Sequence, residues 1–86
     1  MENQTPKKIE SLDLPPSKRY TLFKIVDGEP VFQENGHILW PLVVGRSFRI
    51  GTTSQWWSTS MVQEIERTGK GAKFLTLNSE YLVEEV

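Results

Sequence analysis

Trp56-Trp57-Ser58-Thr59-Ser60-Met61-Val62-Gln63-Glu64-Ile65-Glu66-Arg67 is the stretch on which the fold turns. Read as a helix, it has Ser60 and Gln63 in capping-box spacing, Met61, Val62 and Ile65 on one face, and Gly69 to close it. That helix would hold about seven residues, too few to persist without tertiary support. Read as a strand, it offers Thr59, Val62, Ile65 and two tryptophans, residue types that suit a pleated, half-buried surface. Val62 and Ile65 have opposite parity, so both face inward only if a bulge intervenes. A strand is expected for 60–67, with the short helix as its alternative.

Outward from this stretch the pattern stays extended. Thr68-Gly69-Lys70-Gly71 reads as a flexible hairpin loop, 72–77 as a strand, Asn78-Ser79 as a two-residue turn and 80–86 as the last strand. On the other side, 52–55 is a polar loop. Arg46-Ser47-Phe48-Arg49-Ile50-Gly51 alternates cleanly, with Phe48 and Ile50 facing in and Ser47 and Arg49 facing out. Pro41 denies a ladder donor and marks an edge or a bulge at the end of a 37–40 strand. Asn35-Gly36 is the strongest hairpin signal in the chain, Asp27-Gly28 gives an earlier turn, and 20–26 and 31–34 are further strands. Short strands with turns every 8–12 residues indicate an all-β fold, a small antiparallel barrel or rolled sheet.

Eighty-six residues make one domain. The first 18 hold four apolar residues, Met1, Ile9, Leu12 and Leu14, against 28 in the 68 that follow, and three of the five prolines, Pro6, Pro15 and Pro16. Such a segment buries too little to offset its ordering entropy. Residues 1–18 are therefore expected to form a flexible, disordered or loosely docked tail, and 19–86 the β-domain. A body this small is marginal as a monomer or forms a homodimer. No apolar run reaches a membrane span and no signal peptide is visible, so an intracellular, cytoplasmic protein with no membrane partner is expected.

Chemistry-bearing residues are few. The chain has no cysteine and one histidine, His37, which rules out thiolate catalysis and a multi-histidine metal site. His37 follows Asn-Gly with no acid near it and reads as a solvent-facing hairpin residue. Glu64 and Glu66 read as a solubilising face, because glycosidic acid–base work needs a tuned separation and a cleft. Gly69-Lys70-Gly71 lacks both the upstream glycine and the following Ser or Thr of a phosphate loop. No catalytic, cofactor or metal residue is assigned, and the chain is read as not an enzyme.

The tryptophans carry the most information. Trp56 and Trp57 are neighbours, so strand parity sends their rings to opposite faces, one into the core and one to the surface. Which is exposed is left open. An exposed indole near Tyr81, or near Arg49 and Lys73, would make an aromatic platform with cations beside it. The candidate contact surface is thus Trp56, Trp57, Tyr81, Arg49 and Lys73. Arg46, Arg49, Arg67, Lys70 and Lys73 outnumber Glu64 and Glu66 over 46–73, but Glu80, Glu84 and Glu85 offset the excess and the net charge is −1.

Trp57-Ser58-Thr59-Ser60-Met61-Val62-Gln63-Glu64-Ile65, followed by Phe74-Leu75-Thr76-Leu77-Asn78-Ser79-Glu80-Tyr81, resembles a pattern in small bacterial and phage proteins of unknown function. That pattern reads Trp-x-Thr-Ser-x-Val-x-x-Ile, then Phe-x-Thr-x-Asn-Ser-x-Tyr. The resemblance covers about residues 45–83 and implies half of a Src-homology-like barrel, with no activity attached. The expected function is a non-catalytic binding or interaction module for a protein or peptide, including a second copy of itself. The alternative is a nucleic-acid-binding barrel that uses aromatic stacking and scattered Arg and Lys.

Overall fold

Residues 56–67 form one continuous strand, and the bulge it requires is present. The structure is a computed structural model that describes residues 9–86. Its elements are β1 (Ser11–Leu12), β2 (Tyr20–Val26), β3 (Glu29–Trp40), β4 (Leu42–Val43), β5 (Ser47–Gly51), β6 (Trp56–Arg67), β7 (Gly71–Thr76) and β8 (Glu80–Glu85). β6 slips register against β7 between Val62 and Glu64, so Val62 and Ile65 both reach the interior, where they are 0% and 1% exposed. The short helix is thereby excluded.

Six strands close an antiparallel barrel in the order β2-β3-β5-β6-β7-β8, with β8 returning to β2 over Tyr20↔Glu85 to Ile25↔Glu80. β5 and β8 are third neighbours in either direction, which puts them on opposite walls. The interior holds Tyr20, Leu22, Ile38, Leu42, Phe48, Ile50, Val62, Ile65, Ala72, Phe74, Tyr81 and Val83. At its centre Phe48 meets Phe74 edge-on at 5.3 Å, and Phe74 stacks on Tyr81 at 5.5 Å. Each such pair adds about 0.5–1.5 kcal/mol beyond its burial.

The turns follow local chemistry except at one place. Asp27 and Gly28, with φ of 54° and 80°, make the two-residue turn between β2 and β3. Thr76 closes the β7–β8 hairpin, its hydroxyl donating to the Ser79 carbonyl and accepting from the Ser79 amide. Asn35-Gly36, expected to be a hairpin, lies inside β3. Gly36 pairs with Tyr20 of β2, and His37 pairs with Gly51 of β5. β3 changes partners at this glycine, and the two backbones come so close that a Cβ on Gly36 would sit 2.4 Å from the Gly51 carbonyl oxygen. Here Asn-Gly permits a crossing rather than a reversal.

The expected tail needs a second correction. Its first eight residues lie outside the described chain. Residues 9–18, however, pack along the barrel. β1 pairs with β4, Val44 donates its amide to the Glu10 carbonyl, Ile9 bridges to Ile65, and Leu12 is buried in the core. Tyr20 donates its hydroxyl to the Pro15 carbonyl at 3.2 Å. Burial, and then the Glu85 carboxylate, push its phenol pKa up and keep that donor protonated. His37 is not a free hairpin residue either. Its Nδ1 lies 3.0 Å from the Lys18 carbonyl and 3.2 Å from that of Pro16. Both partners are acceptors, so Nδ1 carries the hydrogen and clips the segment to β3.

Candidate functional site

Three elements register one row of side chains on the outer wall. Trp40 of β3 is paired with Arg49 of β5, and Arg49 with Ser58 of β6. Cross-strand partners share a face, so all three point outward. The β3 bulge between Ile38 and Trp40 is what turns Trp40 out while Ile38 stays in the core. Trp56, two residues from Ser58, joins the same face.

The β5–β6 hairpin sets Trp56 in place. Thr52 accepts the amides of Ser54 and Gln55 on its hydroxyl and donates its own amide to the Gln55 carbonyl. Gly51 lies opposite Trp56, and a Cβ there would stand 2.6 Å from the Trp56 Cα. The indole thus starts its strand over a position with no side chain of its own.

Arg49 organises the face. Its guanidinium carbon lies 3.7 Å from the Trp40 ring centroid and 4.9 Å from that of Trp56. Its Nε donates to the Ser58 hydroxyl at 2.6 Å. Guanidinium–indole contacts of this kind contribute about 0.5–1 kcal/mol at an exposed site. They also fix the fork with its outer N–H groups free to reach a ligand. Among the described residues neither Arg49 nor Arg46 has a carboxylate partner; Lys18–Glu85 is a separate ion pair. Beside the row, Trp40, Pro41, Gly45, Arg46, Ser47 and Met61 line an open groove of about 500 Å³. A second depression, of about 390 Å³, lies along the 11–16 segment and is lined mainly by apolar residues.

The candidate residues of the sequence separate here. Arg49 and Trp56 come together. Trp57 lies opposite Ile50 on the inward side, yet at the loop end of β6 it stays 36% exposed, so neither indole is in the core. Tyr81 is buried against Phe74 and is no part of an outer surface. Lys73 faces Glu66 near the far end of β6, about 30 Å along the strand from Trp56 at ~3.3 Å per residue. Sequence reading missed Trp40, Arg46 and Met61. The outward parity of Arg49 would have pointed to Trp40 only with the β3–β5 register in hand.

Among the described residues no group of three or more His, Asp or Glu side chains gathers as a metal site, and no helix is long and apolar enough to cross a membrane. No family model matches the chain, and no curated protein and no solved structure matches it.

Proposed function

We propose that the chain is a non-catalytic, cytoplasmic binding module whose contact surface is the outer face of β3, β5 and β6. The observation that carries this reading is Arg49 held between two exposed indoles with no carboxylate partner among the described residues. Trp40 and Trp56, 43% and 46% exposed, and Met61 at 43% make an apolar surface that water does not favour. Aromatic residues and arginine are the types that dominate binding energy at interfaces. The only histidine, His37, uses its Nδ1 to hold the N-terminal segment.

A photo-cross-linking residue placed at Met61, beside the groove, should form adducts with a macromolecular partner in the native host. The same residue at Lys73, on the far wall, should not. Adducts from Lys73 alone, or from neither position, overturn the proposal.

A second reading concerns self-association. β3 over 29–35 pairs with β2 but has no strand partner on its other side among the described residues, and Val31 and Phe32 are exposed there. Strand addition by a second copy would use that edge. Glu29, Pro30 and Glu34 are the residue types that keep such edges from pairing. Light scattering on wild type and on Phe32→Lys separates the cases: a dimer lost in the variant supports the edge, and a wild-type monomer excludes it.

A further inference from the structure

We infer that the ligand of this face is a single-stranded nucleic acid, with bases stacked on Trp40 and Trp56 and phosphates bound by Arg46 and Arg49; the inference rests on the contact surface proposed above.

Charge distribution is the first support. Between Glu34 and Glu64 the chain has no acidic residue, and this same stretch holds Arg46, Arg49 and all three tryptophans. Among the described residues, Asp27 and Glu29 are at the β2–β3 turn, Glu34 on β3, Glu64 and Glu66 on the far half of β6, and Glu80, Glu84 and Glu85 on β8, while Glu10 and Asp13 lie on the N-terminal segment beside β4. β8 is on the wall opposite β5, so Glu80, Glu84 and Glu85 are across the barrel from Arg49. A ligand meets the local potential, not the net charge.

The shape of the site is the second support. Flat indole faces and an open groove suit planar bases threaded along a surface, and stacking accepts any base because each has a π-face. A hydrophobic peptide would need enclosed apolar pockets for its side chains, and the groove is open, with Arg46 and Ser47 in its lining. An acidic peptide would use the arginines but leave the indoles idle. With Nε committed to Ser58, Arg49 presents its remaining N–H groups as a fixed fork for a phosphate.

The test is fluorescence anisotropy of labelled oligothymidylate and oligouridylate, with duplex DNA and polyglutamate as competitors. The oligonucleotides should bind, and log K should fall with log salt at a slope of about −1.4, about −0.7 for each of two phosphate contacts on a single strand. Arg46→Gln, at an exposed position, should flatten that slope by about 0.7. Trp56→Ala should weaken binding roughly 5- to 150-fold, the range of one base–aromatic stack. Trp56→Phe keeps a stacking ring, so it should retain most of the binding; circular dichroism confirms that each variant is folded. No oligonucleotide binding, equal competition by polyglutamate, or binding indifferent to Trp56→Ala in a folded protein overturns the inference. Failure here with Met61 still cross-linking to a protein overturns the ligand class and leaves the contact surface standing. Loss of both removes the surface itself.

Discussion

Phe48 and Arg49 are consecutive residues, and they anchor two aromatic groups on opposite sides of one barrel wall. Inward, Phe48 packs on Phe74 and Phe74 on Tyr81, all at most 4% exposed. Outward, Arg49 gathers Trp40 and Trp56, both more than 40% exposed. The inner group is held by loss of water and by packing density. The outer one is held by a cation and by strand register, which fix geometry without removing the rings from solvent. The first arrangement stabilises the fold, and the second keeps apolar surface available at little gain in stability.

Phe74→Ala tests the inner group most severely. It removes the ring that contacts both partners and should cost about 3–5 kcal/mol in denaturant unfolding, cavity term included. A loss under about 1 kcal/mol would mean that the inner cluster does not differ from the outer one. Leu12→Ala asks whether the N-terminal segment belongs with the inner group. Its burial predicts a loss of about 2 kcal/mol, and a neutral variant would return the segment to a loosely docked tail.

Gly36→Ala probes the crossing that lets β3 serve both sides. With φ at 142° and a carbonyl in the path of the new Cβ, it should lose roughly 1–3 kcal/mol. Full stability would show that the backbone parts there at little cost. His37→Ala removes one shared hydrogen bond and should cost about 1 kcal/mol, with faster proteolysis near Lys18 as its signature. Unchanged cleavage would mean that the clip does not hold the segment. Trp56→Phe should change stability by no more than about 0.5 kcal/mol, as expected of a surface position. Iodide should quench the wild-type indoles strongly. Shielded tryptophan in the wild type would erase the distinction between the two groups.

The sequence made legible what short-range chemistry decides. Asp27-Gly28 turns the chain because its residues accept positive φ. Phe48 and Ile50 alternate with Ser47 and Arg49, and the bulge in β6 follows from wanting Val62 and Ile65 on one side. What stayed hidden depends on partners distant in sequence. Asn35-Gly36 carries the local signature of a hairpin, but its glycine serves an approach to Gly51 that only the closed barrel creates. Leu12 is sparse among polar neighbours, yet β4 and Ile65 lie beside its segment. Parity separated Trp56 from Trp57 but could not say that the end of a strand leaves both partly wet. Tyr81 and Lys73 have the residue types of such a platform, but Tyr81 faces the interior and Lys73 lies on β7, toward the far end of β6.

The pairing of β2 with β8 has a consequence for synthesis. Tyr20 meets Glu85, so the seam of the barrel joins the first and last of its strands. Hairpins such as β2–β3 can form as they leave the ribosome, within microseconds for an element of that kind. The closed interior cannot. Until β8 has been made, β2 lacks one neighbour, Leu22 and Phe74 have no roof, and the nascent chain carries open strand edges of the sort that chaperones cover. Closure of this barrel therefore waits on β8, and pairing across that sequence distance makes folding slow for its size.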